Sequence, residues 1–158
     1  YVTHDQKEAL SIADQMAVLK DGLVKQTGSP TDIYRRPKSS FVASFIGETN
    51  FLEGKIETDK IRTPIGLLVT TCKQTEDKFK VSIRPESFKI VSNGRDGINL
   101  ISGKCIESIY LGESAQYKIE TDSGVVITIS EANPKIAVKI NQTVKLCVAP
   151  EDVLIVTP

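Results

Sequence analysis

One histidine is the side chain in this sequence best suited to chemistry near neutral pH. His4 lies just before Asp5, at the start of a predicted helix. A ring nitrogen of imidazole can hydrogen-bond a terminal phosphate oxygen and help to hold an attacking water molecule. A lone histidine before a helix can equally be an ordinary surface residue. Because the chain has a single histidine, a multi-histidine metal site is excluded.

The motifs that bind and hydrolyse nucleoside triphosphates are missing from these 158 residues. A phosphate-binding loop needs G-x-x-x-x-G-K-[ST], but the Gly-Lys pairs at positions 54–55 and 103–104 are followed by isoleucine and cysteine. The sequence also lacks an apolar strand ending in Asp-Glu and a Ser-Gly-Gly turn. We therefore predict that the chain alone neither binds ATP tightly nor hydrolyses it. Micromolar ATP binding in calorimetry would contradict this.

The composition argues against several classes of protein. Twenty basic and twenty acidic residues cancel, which removes the long-range attraction on which most nucleic-acid and anionic-membrane binders depend. No apolar run approaches the ~20 residues needed to cross a bilayer, so we expect any membrane contact to go through a partner protein. Cys72, Cys105 and Cys147 are odd in number and far apart. This favours free thiols in a reducing cytoplasm over disulfides or metal ligands.

The chain opens with a helix signal. It begins with Tyr1 rather than methionine, which suggests a fragment of something longer. Asp5 followed by Glu8 is the pattern of a capping box, and it predicts a helix over residues 6–15. Apolar residues at helical spacing predict one buried face, made of Ala9, Ile12, Ala13 and Met16.

A hairpin and two further helices complete the first 47 residues. Asp21-Gly22 between two apolar runs is a strong hairpin signal. Ser29-Pro30 predicts the start of a helix that ends before Pro37. A third helix is predicted over residues 39–46, with Gly47 as its stop.

Gly47-Glu48-Thr49-Asn50 is predicted to be a linker. From Phe51 onward the helical periodicity gives way to short, β-branched runs separated by turn signals. Asp122-Ser123-Gly124 predicts a tight hairpin turn, and Asn93-Gly94 and Asp96-Gly97 mark a longer loop. The predicted strands are 51–57, 61–63, 67–71, 79–84, 88–91, 99–110, 114–120, 125–130, 144–148 and 153–156.

An internal echo relates residues 83–90 to residues 148–155. In both segments a proline, Pro85 or Pro150, interrupts an apolar run. Because proline lacks an N–H group, this pattern is typical of a strand that turns at a corner or an edge. We expect two structural corners, with Arg84 and Glu86 as candidates for an interface.

An ordered series of motifs runs through nearly all of residues 1–47. It comprises Tyr1-Val2-Thr3-His4-Asp5-Gln6, Glu8-Ala9-Leu10, Ala13-Asp14, Lys20-Asp21-Gly22, Gln26-Thr27-Gly28-Ser29-Pro30, Ile33-Tyr34, Pro37 and Phe41-Val42-Ala43-Ser44-Phe45-Ile46-Gly47. This series resembles the end of the ATPase domain in ABC importers of the maltose, polyamine and ferric-iron type. The stretch from Ile46 to Phe51 is most similar to the polyamine (spermidine/putrescine) branch.

The resemblance implies roles that belong to an intact transporter subunit. His4 would be the switch histidine, which contacts the γ-phosphate of ATP bound with Mg²⁺ between two ATPase domains. The expected partners are a second copy of the subunit and membrane-spanning permease subunits, with no nucleic acid and no direct insertion into the membrane. The expected location is the cytoplasmic face of the cell membrane. For the fragment alone we expect no cofactor, no metal and no ATPase activity.

Residues 48–158 carry a second, looser resemblance. Arg84-Pro85-Glu86, Tyr110-Leu111-Gly112 and Pro150-Glu151-Asp152 are similar to motifs of the OB-like transport-associated (TOBE) barrel that follows the ATPase domain in the same importers. The implied fold is mainly β, with an OB-like regulatory and dimerisation barrel over 48–158 after an α/β remnant over 1–47. The candidates for regulatory or interface roles are Arg84, Glu86, Tyr110, Gly112 and Glu151.

Two other functions stay open for such a barrel. OB-like barrels can bind single-stranded nucleic acid through aromatic side chains and a basic groove, although nine aromatic residues, no tryptophan and zero net charge argue against it. The barrel could instead sense a small ligand such as a polyamine, molybdate or sulfate. The acidic residues that would suit a cation are Glu107, Glu113, Glu120 and Asp122, but scattered carboxylates are usually a solvated face.

Overall fold

Short, well-capped elements form the first part of the chain. The computed structural model describes residues 1–73, 78–91 and 97–158. Side chains of Asp5, Ser29 and Ser39 each accept a hydrogen bond from a first-turn backbone N–H, so all three helices begin at an N-cap. The elements are α1 (Gln6–Ile12), β1 (Met16–Lys20), β2 (Leu23–Gly28), α2 (Pro30–Arg35) and α3 (Ser40–Ile46).

The predicted hairpin is confirmed. Strands β1 and β2 pair antiparallel, with a register shift between Val18 and Leu19. Asp21 and Gly22 both have positive φ, at 51° and 74°. A two-residue turn with this backbone matches the twist of its strands, which is why Asp-Gly favours it.

Helix α1 is shorter than predicted, and its predicted buried face is wrong. The backbone leaves the helix at Ala13, where ψ is 138°, so Met16 lies on β1. No residue of α1 is buried, and Ile12 is 63% exposed. Ala9, Ile12 and Ala13 line an open cavity. The reciprocal capping box is also absent, because the Glu8 carboxylate accepts from Tyr1 and Thr3 instead.

The second part of the chain is built of strands, which confirms the predicted mainly β fold. Residues 51–57, predicted as one strand, are divided at Gly54. A Cβ atom there would lie 2.8 Å from the Phe79 ring and 2.9 Å from Ile61. The strands are β3 (Asn50–Glu53), β4 (Lys55–Glu57), β5 (Lys60–Thr63), β6 (Gly66–Leu68), β7 (Lys80–Ile83), β8 (Phe88–Val91), β9 (Ile101–Tyr110), β10 (Ser114–Thr121), β11 (Val126–Ala132), β12 (Thr143–Val148) and β13 (Leu154–Val156).

These strands form three antiparallel sheets. The largest has the order β11-β10-β9-β12-β8, the second has β13-β7-β3 and the third has β4-β5-β6. The hairpin turn between β10 and β11 falls at Asp122-Ser123-Gly124 as predicted, with Gly124 at φ 81°. Of the predicted loop signals, Asn93, Gly94 and Asp96 lie outside the described residues.

Both predicted proline corners are confirmed. Pro85–Ser87 and Pro150–Asp152 form single 3₁₀ turns, each with proline at its start. Before the first turn Val81 pairs with Ile155, and after it Lys89 pairs with Cys147. The two segments between these pairs are equally long, so the antiparallel register continues around the corner. The sequence echo therefore corresponds to an approximate two-fold relation between β7-turn-β8 and β12-turn-β13.

A side chain links the outer strand of the largest sheet to the second sheet. The Asn50 amide accepts from the backbone N–H of Thr128 and donates to its carbonyl, each at 2.8 Å. It also donates to the Ile83 carbonyl at 3.2 Å. The Asn50 side chain therefore makes the two backbone hydrogen bonds that a neighbouring strand would make at this point on the edge of β11.

Two apolar cores result. The larger one lies inside the barrel and includes Tyr117, Ile119, Ile127, Ile129 and Leu146, each at most 1% exposed. The smaller one joins β1, α2 and α3 through Val18, Ile33, Val42 and Ile46. Within the described residues no helix is long and apolar enough to span a membrane.

Candidate functional site

His4 lies at the rim of an open cavity of about 570 Å³. It is exposed and follows Thr3, whose hydroxyl accepts from the backbone N–H of Asp5 at 3.0 Å. Tyr1 and Thr3 donate to the two oxygens of Glu8, each at 2.7 Å, and these bonds lower the pKa of the Glu8 carboxyl. The N-terminal loop is thus held against α1, and His4 is exposed among the residues that line the cavity.

The wall of this cavity is mostly apolar. It is formed by the inner face of α1, by β1 and by the end of α3, with Ile12, Met16, Leu19 and Phe45 among its lining residues. Leu19 is 56% exposed. An apolar concave surface beside one imidazole offers a docking face for more protein, but it contains no cluster of charged groups that could cradle a triphosphate.

Arg84 forms a second site, at the first proline corner. Its side chain is only 4% exposed. Nη1 donates to the carbonyls of Ala43 at 2.9 Å, Gly47 at 2.7 Å and Glu48 at 3.0 Å. These carbonyls lie at the C-terminal end of α3, where a cation also complements the helix dipole.

An aromatic ring covers the other side of this guanidinium. The Arg84 guanidinium carbon lies 4.4 Å from the centroid of the Tyr34 ring, in a cation–π contact. The hydroxyl of Tyr34 donates to Glu86, two residues after Arg84. We call the set Tyr34, Arg84 and Glu86 the clasp, since it fixes α2 and α3 to the barrel corner.

The clasp contains a buried cation, and its electrostatics reflect that. Burial lowers the pKa of Arg84, because desolvation disfavours the charged form. Burial, together with the hydrogen bond to Glu86, raises the pKa of Tyr34 to about 12. Arg84 Nε is buried with no hydrogen-bond partner among the residues described. The backbone carbonyls at the end of α3 and the Tyr34 ring therefore take the place of water around this cation, and Glu86 lies at the exposed edge of the clasp.

Gly47 leaves room for this arrangement. A Cβ atom at this position would lie 3.3 Å from Arg84 Nη1 and 3.4 Å from the Tyr34 ring. The glycine predicted as a helix stop therefore has a second, steric role, which the sequence pattern could not indicate.

The other candidates lie apart from the clasp. Tyr110 is 63% exposed at the end of β9, and Gly112, with φ 87°, lies in the turn before β10. Glu151 is exposed in the second corner turn. Burial, and then the negative charge of Glu151, raise the pKa of Asp152. No hydrogen bond or ion pair between residues of the described ranges connects Tyr110, Gly112 or Glu151 to the clasp. Only Arg84 and Glu86 of the predicted interface residues come together.

The acidic residues considered for a cation ligand are not gathered into a site. Glu107 is paired with Lys118 at 2.9 Å, across neighbouring strands. In the described part of the chain, no group of three histidine, cysteine or carboxylate side chains is arranged to hold a metal ion. The three cysteines are free thiols.

Sequence reasoning missed three amide side chains that bond the backbone of other segments. Asn50 is half-buried, and Gln26 and Asn99 are buried, at 6% and 7% exposed. Asn99 was predicted as the start of a strand, but its φ is 55°. Its side-chain amide accepts from the N–H of Val69 and donates to the carbonyl of Val69. The available signal was the residue type, since asparagine tolerates positive φ and mimics a peptide group.

Comparison with known families identifies the barrel. Residues 81–156 match the TOBE domain. The OB-like fold of the TOBE barrel also resembles a crystal structure of the cytoplasmic molybdate-binding protein ModG, with a TM-score of 0.58 and 13% identity. That likeness covers 69% of this chain and 96% of ModG, and it concerns the fold alone.

Curated relatives extend the similarity beyond the TOBE barrel. The spermidine/putrescine import ATP-binding protein PotA of Mesorhizobium japonicum is 38% identical over 146 residues, 87% of this chain and 39% of that protein. The PotA of Trichormus variabilis is 36% identical over 84% of this chain and 38% of its own length. The Fe(3+) ions import ATP-binding protein FbpC of Fusobacterium nucleatum is 38% identical over 82% of this chain and 35% of its own.

These relatives confirm the resemblance to ATP-binding subunits of ABC importers. The chain spans about two fifths of the length of the curated relatives it matches. The predicted boundary between residues 47 and 48 is not tested by these matches and stays a prediction.

Proposed function

We propose that this chain is the C-terminal part of the ATP-binding subunit of a bacterial ABC importer. In this proposal residues 1–47 end the ATPase domain, and residues 48–158 are the regulatory and dimerisation domain. The extent of the similarity carries the proposal. The match to the Mesorhizobium PotA covers 87% of the chain, whereas residues 48–158 amount to 111 of 158 residues. The similarity must therefore include part of the segment that carries His4.

The exposed apolar cavity supports the same proposal. The α1 face and β1 line a concave surface that nothing in the described chain fills. The remainder of an ATPase domain would cover it and would supply the phosphate-binding loop and the magnesium ligands. ATP and Mg²⁺ are accordingly cofactors of the intact subunit in this proposal.

His4 is the residue we assign to the hydrolytic site of the intact subunit. It is exposed at the cavity rim, where it can reach a γ-phosphate bound by another part of the protein. Replacing it should leave folding intact but lower hydrolysis about a hundredfold or more, as loss of a positioned hydrogen-bonding or acid–base group does.

The test uses the full-length subunit with His4→Ala, assayed for ATP turnover and thermal unfolding. Lys7→Ala, a change of an exposed residue on α1, serves as the matched control. Unchanged turnover in the His4 variant would rule out its catalytic role.

Polyamine uptake is the transport reaction we propose for the intact system. The likeness of residues 46–51 to the polyamine branch and the similarity to PotA proteins support it, while FbpC relatives are equally similar. Uptake of labelled spermidine and of ferric iron should be compared in cells with and without the gene. Loss of spermidine uptake alone supports the polyamine proposal, and loss of iron uptake alone overturns it.

The proposed partners are a second copy of the subunit and membrane-spanning permease subunits. The subunit would then act on the cytoplasmic face of the membrane. Co-purification of the full-length subunit with permease subunits from solubilised membranes tests this assembly.

A further inference from the structure

We propose that the β1–β2 hairpin, the α2–α3 pair and the barrel form one rigid body, locked by the buried side chains of Gln26 and Arg84. A displacement of the barrel would then be transmitted directly to the hairpin that lines the His4 cavity. Three sets of contacts, which join different elements, carry this inference.

The first set joins the barrel to α3. Arg84 projects from the first corner and donates to three carbonyls at the end of α3. All three bonds come from a buried guanidinium. A partial opening would break them before water could reach the cation, which would leave a buried charge without partners. Such a joint resists partial opening.

The second set joins the hairpin to the segment after α2. The Gln26 side chain, on β2, donates from Nε2 to the Arg36 carbonyl at 3.0 Å and accepts at Oε1 from the Lys38 N–H at 2.9 Å. Both halves of the amide are used, and the side chain is buried. The hairpin is therefore fixed to residues 36–38 in one orientation.

The third set joins that same segment to the end of the barrel. The Ser40 N–H donates to the Thr157 carbonyl at 2.7 Å, and the Thr157 N–H donates to the Lys38 carbonyl at 3.2 Å. The backbone of Lys38 thus bonds the hairpin through its N–H and the barrel through its carbonyl. Lys38 therefore connects the hairpin directly to the barrel.

These contacts leave no free joint between the barrel and the hairpin. Strand β1, which is part of the hairpin, lines the cavity beside His4. If the proposed function holds, a partner that binds and tilts the barrel would therefore move the cavity wall beside the nucleotide-contacting histidine. The rigid body itself does not depend on that function and can be tested without ATP.

Hydrogen exchange read by mass spectrometry tests the rigid body in the 158-residue chain. We compare Arg84→Met with Arg62→Met, since Arg62 is an exposed arginine paired with Glu57 on the barrel surface. The Arg84 change should accelerate exchange about 10–100-fold, both in α3 and in β2 at residues 24–27. Arg62→Met should leave both segments unchanged.

The response of β2 is the decisive measurement. Faster exchange in α3 with unchanged exchange in β2 would show that Arg84 only caps a helix, and the proposal would be wrong. If Arg84→Met does not fold, Arg84→Lys replaces it, because lysine keeps the charge but loses the guanidinium fork. It should give a smaller acceleration in both segments, and no acceleration in β2 overturns the proposal equally.

Discussion

The barrel core and the segment around the His4 cavity differ in how much apolar surface they expose. The barrel buries its apolar side chains around Tyr117 and Ile119, whereas the first 24 residues leave Ile12, Leu19 and Leu23 more than half exposed. Both regions have strong local signals for their elements. Local signals are therefore sufficient for a helix or a hairpin to form, but burial needs a partner surface. Val18 has one in α2 and α3, whereas Ile12 and Leu19 have none among the described residues.

The sharpest test of this contrast is a pair of isoleucine substitutions. Ile119 is 0% exposed and Ile12 is 63% exposed. Ile119→Ala should lower the free energy of unfolding by about 2–5 kcal/mol, because it leaves a cavity in a packed core. Ile12→Ala should change it by less than about 0.5 kcal/mol. Urea unfolding of both variants measures the difference, and equal losses would mean that the two regions are not packed differently.

A pair of glycines tests how tightly the barrel strands approach each other. A Cβ at Gly103 would lie 2.7 Å from the Glu120 carbonyl oxygen, whereas one at Gly112 would meet nothing within 4 Å. Gly103→Ala should cost about 3 kcal/mol through overpacking. Gly112→Ala should cost about 1 kcal/mol, because its φ of 87° strains any side chain. Thermal unfolding ranks the two, and the reverse order would contradict the close approach of β9 and β10.

One polar side chain joins β11 to the second sheet. Replacing Asn50 by leucine should cost about 2 kcal/mol, because the N–H and carbonyl of Thr128 would lose their partners. Asn141→Leu is the control for exchange at Thr128 only, since Asn141 is exposed and leucine at its φ of 70° is itself unfavourable by about 1–2 kcal/mol. Exchange of the Thr128 amide should rise in the Asn50 variant alone.

The smallest expected effect concerns the clasp at high pH. The pKa of Tyr34 is raised to about 12 by burial and by Glu86, above the value of about 10 for an unfolded tyrosine. Between about pH 10 and pH 12 the Tyr34 hydroxyl is therefore protonated more often in the folded state than in the unfolded state. The resulting stabilisation is complete below about pH 10 and is lost as the pH rises towards 12.

Tyr34→Phe removes that titration. Denaturant unfolding at several alkaline pH values should show a shallower decline in stability for the phenylalanine variant than for the original chain. Parallel slopes would mean that Tyr34 titrates in the clasp as it does in the unfolded chain.

Much of the fold was accessible from local patterns. Helix starts at Ser29 and Ser39, the Asp21-Gly22 turn and both proline corners were predicted because capping and turn chemistry act over a few residues. The sequence does not predict the division of a strand at Gly54, because its cause is close contact with Phe79, which precedes β7, and with Ile61 on β5. The buried face of α1 was wrong, because periodicity shows which side chains share a face but not whether anything covers that face.

The sequence by itself determined the elements and marked Arg84 and Glu86 as interface candidates through their position beside a corner proline. Only the tertiary structure decided what that interface is. Arg84 contacts Ala43 and Gly47, and Asn50 contacts Thr128, across separations of 37 to 78 residues in the chain. Residue types indicate which groups need a partner once they are buried, but the route of the chain through space selects the partner.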